Sequence, residues 1–268
     1  MTLDAETSAR VTLETEAGVA ILTLNSPASR NALSLAMIAS LSEKLGAIAG
    51  RNDVRVVVLQ AEGPAFCAGH DLKELTAHRN DPDRGRAFFD KTMRACSALM
   101  QQIVGLPQPV VAAVDEIATA AGCQLVASCD LAVAGPRARF CTPGVNIGLF
   151  CSTPAVALSR SVAPKQAMDM LLTGVPIGAE AALRIGLVNR ISTDGAQTGA
   201  LALAQTIARK SPQAIRYGKK AFYAQREKPL TEAYELASAV MVENMLAEDA
   251  KEGIAAFLEK RAPTWAEK

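Results

Sequence analysis

Residues 54–60 hold the run Val56-Val57-Val58-Leu59, four apolar residues with no polar alternate. A strand with water on one face alternates apolar and polar side chains. This one needs cover on both faces, the condition of a strand inside a parallel sheet. Parallel neighbours cannot be joined by tight hairpins and need crossovers, usually helical. The run therefore predicts helices packed on both sides of a sheet, an α/β architecture.

The rest of the chain fits that frame. Val11–Glu16 and Val19–Leu24 flank Gly18 and read as a hairpin. Asn25 to Ser29 is a turn. Ser34 is placed to N-cap a helix running to Ala49, with Gly50 at its end. After the apolar strand comes a glycine-punctuated loop, Gly63 to Asp71, and Asp71 can cap a helix reaching His78. The charged stretch Arg79–Arg86 reads as a mobile surface segment, followed by a helix to Ile103. Val110–Val114 and Leu131–Ala134 are further short strands, and Ala118–Ser128 has helical character. From Pro154 helices dominate, interrupted by a strand at Leu187–Ile191. We expect an α/β core over residues 1–200 and a helical C-terminal region over 201–268, within the size of one large domain.

Composition removes several function classes. Lys plus Arg is 28 against 27 for Asp plus Glu, so no basic field exists to hold nucleic acid or an anionic membrane. Aromatics are 4%, too few for base-stacking platforms. No apolar stretch approaches the roughly 20 residues that span a bilayer. The six cysteines, at 67, 96, 123, 129, 141 and 151, form no C-x-x-C pair, and only His70 and His78 could assist them, so no metal site is expected. They lie in small apolar stretches and read as free thiols in a reducing compartment. Residues 1–10 carry Asp4 and Glu6 and no apolar core, which reads as neither a secretory signal nor an Arg-rich transit peptide. The expected location is cytoplasmic. There is no G-x-G-x-x-G after a strand, no G-x-x-x-x-G-K, no G-x-S-x-G and no H-E-x-x-H.

Two loops carry the chemical signal. In the first, Gly69 allows a sharp turn, so that the backbone N–H of His70 can point into a cavity. The second, Ala118 to Gln124, leaves a strand and opens a helix whose first N–H groups, Ala121 in particular, are unpaired and lie at the positive end of the helix dipole. Two such donors aimed at one point make an oxyanion hole, which a thioester carbonyl becoming an enolate requires. On local pattern alone, two ordinary strand–helix turns are the simpler reading.

These residues resemble the enoyl-CoA hydratase/isomerase (crotonase) superfamily over nearly the whole chain. The matching stretches are Leu24-Asn-Ser-Pro with Arg30-Asn-Ala-Leu33, Ala65-Phe-Cys-Ala-Gly-His-Asp-Leu-Lys73, Val110–Asp130, Phe140–Gly148 and Glu252–Arg261, and their order and spacing are specific. Ala118–Asp130 and Thr142–Pro154 look most like the subgroup called enoyl-CoA hydratase domain-containing protein three, whose described members are mitochondrial. The resemblance implies a spiral of ββα turns with a helical C-terminal trimerisation region. It implies acyl-CoA thioester substrates, no cofactor beyond their CoA moiety, and homotrimers or dimers of trimers. It also implies lyase or isomerase chemistry in fatty acid metabolism. It places the oxyanion hole at the N–H groups of His70 and Ala121, and CoA contacts at Ala28, Arg30, Ala32, Ala68, Asp71, Leu72 and Lys73, and at Phe257 and Lys260 of the last helix. A cation there would suit the CoA phosphate.

The chain departs from the family at its acid–base pair. The positions matching the two water-activating glutamates are Gln124 and Gly144. An amide orients water but does not accept its proton, and glycine has no side chain. General acid–base catalysis is commonly worth about 10²–10⁴ in rate, so ordinary hydration should be poor. The remaining candidates are the His70 imidazole, which titrates near neutrality, Cys151, and Ser152, which stands where some isomerase relatives place a carboxylate. Asp115 and Glu116 replace the family's usual Asn-Gly and read as a surface turn or a displaced carboxylate. Three functions stay open: an acyl- or enoyl-CoA enzyme of the hydratase/isomerase class working through its oxyanion hole, a catalytically silent acyl-CoA-binding protein, and a CoA-thioester hydrolase using Cys151 or Ser152.

Overall fold

The computed structural model describes residues 9–266. Its larger sheet has six strands in the order β1 (Val11–Glu16), β2 (Val19–Leu24), β3 (Val56–Ala61), β5 (Val110–Val114), β7 (Leu131–Ala134) and β10 (Arg190–Ile191). The first two form the expected antiparallel hairpin, Val11 opposite Leu24 through Glu16 opposite Val19, and every later pairing is parallel. The run in β3 behaves as its composition dictates. Val57 and Leu59 enter the main core, whereas Val56 and Val58 point to the other face, against α8 (Ala196–Ala208). Burying each such side chain contributes roughly 1.5–3 kcal/mol. The main core is closed by α1 (Leu35–Ala49), capped by the Ser34 hydroxyl on the Met37 N–H, and by α3 (Arg86–Gly105).

A second sheet was invisible in the sequence. Its strands are β4 (Ala65–Cys67), β6 (Ile117–Thr119), β8 (Arg139–Cys141) and β9 (Ile177–Gly178), in that spatial order. Three turns of the chain, β3–β4, β5–β6 and β7–β8, each place one strand in the large sheet, one in the small sheet, and then turn into a helix or a 3-10 turn. This is the expected ββα spiral, with β4, β6 and β8 mutually parallel. Strands of three residues are too short to show alternation, which is why the intervals holding them read as loop or helix.

The remaining helices are α2 (Leu72–Ala77), α4 (Ala121–Ser128), α5 (Ser152–Ser161), α6 (Pro164–Thr173), α7 (Ala179–Arg184), α9 (Pro212–Gln225), α10 (Leu230–Met245) and α11 (Glu248–Glu259). Because α8 crosses position 200 and buries Ala200, Leu203 and Ala204 against the sheet, we propose that the helical C-terminal region begins after Ala208.

The segment 79–86, expected to be a loose surface run, is tied down by its own polar residues. Asp83 accepts hydrogen bonds from the N–H groups of Gly85 and Ala87, capping α3. His78 stacks on Phe88 and reaches Asp81 at 2.8 Å. Short-range capping by Asp is cheap to form and overrides the impression given by a charge run. Among the described residues no helix is long and apolar enough to cross a membrane.

Candidate active site

The short sheet positions the site. Because β4, β6 and β8 are parallel neighbours, the segments that leave them emerge side by side. These are 68–71, 120–121 and 142–144, and they contain His70, Ala121 and Gly144.

Gly69 has φ +85°, and a Cβ added to it would lie 3.0 Å from Ala120 Cβ and 3.4 Å from the Ala121 nitrogen. The two loops therefore touch where the donors were expected. Leu33 pins the first loop: its N–H donates to Gly69 O at 2.7 Å, and its carbonyl accepts from Asp71. That parallel bridge leaves the His70 N–H turned away from Leu33. In the second loop Ala120 adopts φ 51°, ψ −118°, a conformation that costs about 1–3 kcal/mol for a residue with a Cβ. It is held by its own N–H to Cys141 O at 2.9 Å and by its carbonyl, which accepts from Gln124. The result is that Ala121 starts α4 with its N–H free of the strand. Among the described residues neither the His70 nor the Ala121 amide has an acceptor.

Gln124 lies one turn into α4, 4% exposed, and its Oε1 is buried with no partner. Gly144 is buried in the 3-10 turn Pro143–Ile147. A Cβ there would fall 2.5 Å from Leu149 O and 2.8 Å from Cys151 Sγ. Backbone and thiol thus fill the space that a side chain at 144 would need, so a carboxylate cannot be restored at 144 without moving the chain at Leu149. This role of Cys151 was not legible in the sequence.

The imidazole of His70 is largely buried, its Nε2 has no partner, and burial pushes its pKa below the usual histidine value. Burial thus favours the neutral ring over the imidazolium. Burial raises the Cys151 thiol, more than its bond from the Gly144 N–H lowers it. Cys123 and Cys141 lie close by and are raised by burial in the same way. All six cysteines are free and buried. A protonated buried thiol is a poor nucleophile. Ser152 is exposed at the start of α5, its hydroxyl directed at Phe150 O.

Of the expected CoA contacts, the structure brings one group together. Ala28, Arg30 and Ala32 flank the turn after β2, and Ala68 N–H donates to Arg30 O at 3.0 Å, which seats them beside the Gly69 loop. Asp71 caps α2 through the N–H groups of Lys73 and Glu74, leaving Leu72 and the Lys73 side chain exposed. Phe257, 82% exposed, lies on α11, which packs on α9 and α10, and Lys260 is the left-handed residue that ends that helix. Among the described residues no hydrogen bond or ion pair joins them to those loops. Asp115 and Glu116 form the partly exposed bend between β5 and β6, and Asp115 is tied to the scaffold. Its Oδ1 accepts the Ala196 N–H at 2.8 Å and caps α8, while Glu116 pairs with Arg137 at 2.6 Å.

Comparison with known proteins bears on this arrangement. The family model described as enoyl-CoA hydratase/isomerase matches residues 14–268. The protein named enoyl-CoA hydratase domain-containing protein 3, mitochondrial, from Rattus norvegicus is 47% identical over 249 residues, covering 92% of this chain and 81% of its own. The Homo sapiens protein of the same name is also 47% identical over 249 residues, covering 92% and 80%. The crystal structure of the human protein superposes with a TM-score of 0.90 at 45% identity, covering 96% of this chain and all, 100%, of that one. That of an enoyl-CoA hydratase from Mycobacterium smegmatis gives 0.91 at 48%, covering 96% and 98%. The cytoplasmic expectation is overturned by these relatives, whose names point to mitochondria. It rested on residues 1–10, of which 1–8 lie outside the described residues, and on free thiols, which report a reducing environment rather than one compartment. With its ββα spiral and its match across residues 14–268, the chain belongs to the enoyl-CoA hydratase/isomerase (crotonase) family, in the subgroup of enoyl-CoA hydratase domain-containing protein 3.

Proposed function

We propose that this protein is an acyl-CoA-acting enzyme whose main catalytic device is an oxyanion hole formed by the His70 and Ala121 amides. The observation that carries the reading is the contact of the Gly69 and Ala120 turns, which leaves two acceptor-free N–H groups at one place. Such donors stabilise charge as it develops on a thioester oxygen, and removing one typically costs about 10²–10³ in rate. Arg30 and Lys73, exposed beside the site, supply cations suited to the CoA phosphates. Gln124 can orient substrate or water through its amide. The His70 ring, whose Nε2 has no partner, is our candidate to take a proton from the carbon next to the carbonyl.

With Gln124 and Gly144 in place of a carboxylate pair, addition of water to a short 2-enoyl thioester lacks its general acid and base. We expect the purified protein to hydrate crotonyl-CoA at least about 10²-fold more slowly than a two-glutamate hydratase assayed beside it. Matching rates would refute the reading. The raised pKa of Cys151 and the exposed position of Ser152 weigh against a thioester hydrolase. A silent acyl-CoA binder is the second reading, favoured by the missing carboxylates. Exchange of the α-proton of octanoyl-CoA with D₂O, followed by NMR, separates the two: a binder without chemistry gives none.

A further inference from the structure

The segment after α11 folds back along that helix. Lys260 ends α11 at φ +55°, a left-handed turn that reverses the chain. Arg261 then grips Glu252 through Nη1 and Nη2, at 2.6 and 2.8 Å, and Glu259 through Nε at 2.6 Å. A planar fork on a carboxylate fixes direction as well as distance. Thr264 N–H donates to Glu252 Oε1 at 2.8 Å. The Trp265 indole lies against Gly253, where an added Cβ would sit 3.2 Å from the ring. Its N–H donates at 2.8 Å to the carbonyl of Arg209, the residue that ends α8. Ala266 N–H donates to Asp249 Oδ1 at 2.9 Å, and Asp249 Oδ2 lies 2.6 Å from the hydroxyl of Ser211, which caps α9. Residues 261–266 thus form a strap that joins α11 to the turn between α8 and α9.

Little else anchors α11. Asp249 and Ala256 are its only buried residues, and Ile254, Phe257 and Leu258 are exposed. Apolar stabilisation scales with the area removed from water, so one buried methyl group holds the helix weakly. The attachment is polar and lies at the surface, the character of a unit that opens without global unfolding. Lys260, on which the chain reverses, is also the candidate cation for a CoA phosphate, so closing the strap fixes the backbone that carries it. Building on the acyl-CoA reading above, we propose that α11 and its strap, residues 248–266, open and close as one unit, and that a bound CoA thioester holds the unit closed. A ligand that touches α11 only in its docked place favours docking by as much as that contact contributes to its affinity.

Trp265 is the single tryptophan of the sequence, so its fluorescence reports the strap alone. Urea titration of the intact protein, followed by this fluorescence and by far-ultraviolet circular dichroism, tests the proposal. The fluorescence transition should come at lower urea than the loss of helix and sheet. Glu252→Gln takes the charge from Arg261 at an exposed place and should raise the open population by about fivefold. That moves the fluorescence midpoint down and leaves the dichroism midpoint where it was. Gly253→Val should do the same by pressing on the indole. Coincident transitions in the unaltered protein overturn the proposal, and so do variants in which both midpoints move together. Saturating octanoyl-CoA should narrow the gap between the two transitions. Octanoyl-CoA that binds by calorimetry and leaves the gap unchanged overturns the coupling. Failure of octanoyl-CoA to bind overturns the acyl-CoA reading and the coupling that rests on it, while separate transitions still support the opening unit.

Discussion

Replacing Gly69 with valine is expected to lower α-proton exchange of a bound acyl-CoA by about 10²–10³ while leaving CoA affinity within a few-fold. The reason is local. At φ +85° a β-branched side chain is strained before it meets any neighbour. Its Cβ would then press on Ala120 Cβ at 3.0 Å and Thr119 O at 3.1 Å. Those atoms belong to the turn that aims the Ala121 N–H. Separating the loops moves one donor off the oxygen, and the loss of one donor carries the cost of an oxyanion-hole mutation. Gly69→Ala should give a smaller loss in the same direction, because alanine tolerates this region better than valine. Exchange kinetics and calorimetric affinity on the same samples distinguish the account from simple unfolding, which would remove both together. Unchanged exchange in a folded Gly69→Val protein would mean that the contact between the turns has no catalytic consequence.

The second large effect concerns the scaffold. Lys219 on α9 reaches into the body of the protein, its side chain 7% exposed, and donates to Asp130 at 2.6 Å and to the carbonyls of Ile103 and Gln108. Asp130 also accepts from the Val110 N–H at 2.7 Å and from Tyr223 Oη. Burial lowers the Lys219 pKa, and the attraction of Asp130 opposes that. Lys219→Met leaves the carboxylate buried without its cation, a change that typically costs 3–5 kcal/mol. For a chain of this size that is a fall of about 10 °C in the unfolding midpoint. The pair Lys219→Met with Asp130→Asn should lose less than Lys219→Met alone, because removing both partners strands no charge. Thermal unfolding of the three proteins checks this. A single variant within about 0.5 kcal/mol of the unaltered protein would show the brace to be dispensable.

What could be read beforehand follows from the range of the interactions. The two-faced burial of β3 was legible because four adjacent residues declare it. The cap at Ser34 and the cap at Asp71 were legible because each acts within three residues. The amides of His70 and Ala121 were picked out from glycine and small residues at strand-to-helix turns, and the resemblance fixed the register that identifies Gln124 and Gly144. The three-residue strands β4, β6 and β8 left no periodic trace, although they set the three loops side by side. Contacts between distant positions were equally silent. Lys219 meets Asp130 across 89 positions, Asp115 caps α8 across 81, and nothing near Gly144 announces that Cys151 fills its side-chain space. Asp115 invited a catalytic reading because a carboxylate replaced an expected turn residue; its partner, the Ala196 N–H, is supplied by tertiary structure alone. The charged stretch at 79–86 misled in the opposite sense, since Asp83 serves the nearby backbone and Asp81 the His78 ring.

The central claim is that two main-chain amides polarise the thioester carbonyl. Isotope-edited infrared spectroscopy of octanoyl-CoA carrying ¹³C at the carbonyl, bound at saturation, tests it most directly. The account predicts a carbonyl stretch shifted to lower wavenumber than in free solution, with the shift largely lost in Gly69→Val. A band at its solution position in a fully bound complex would contradict it.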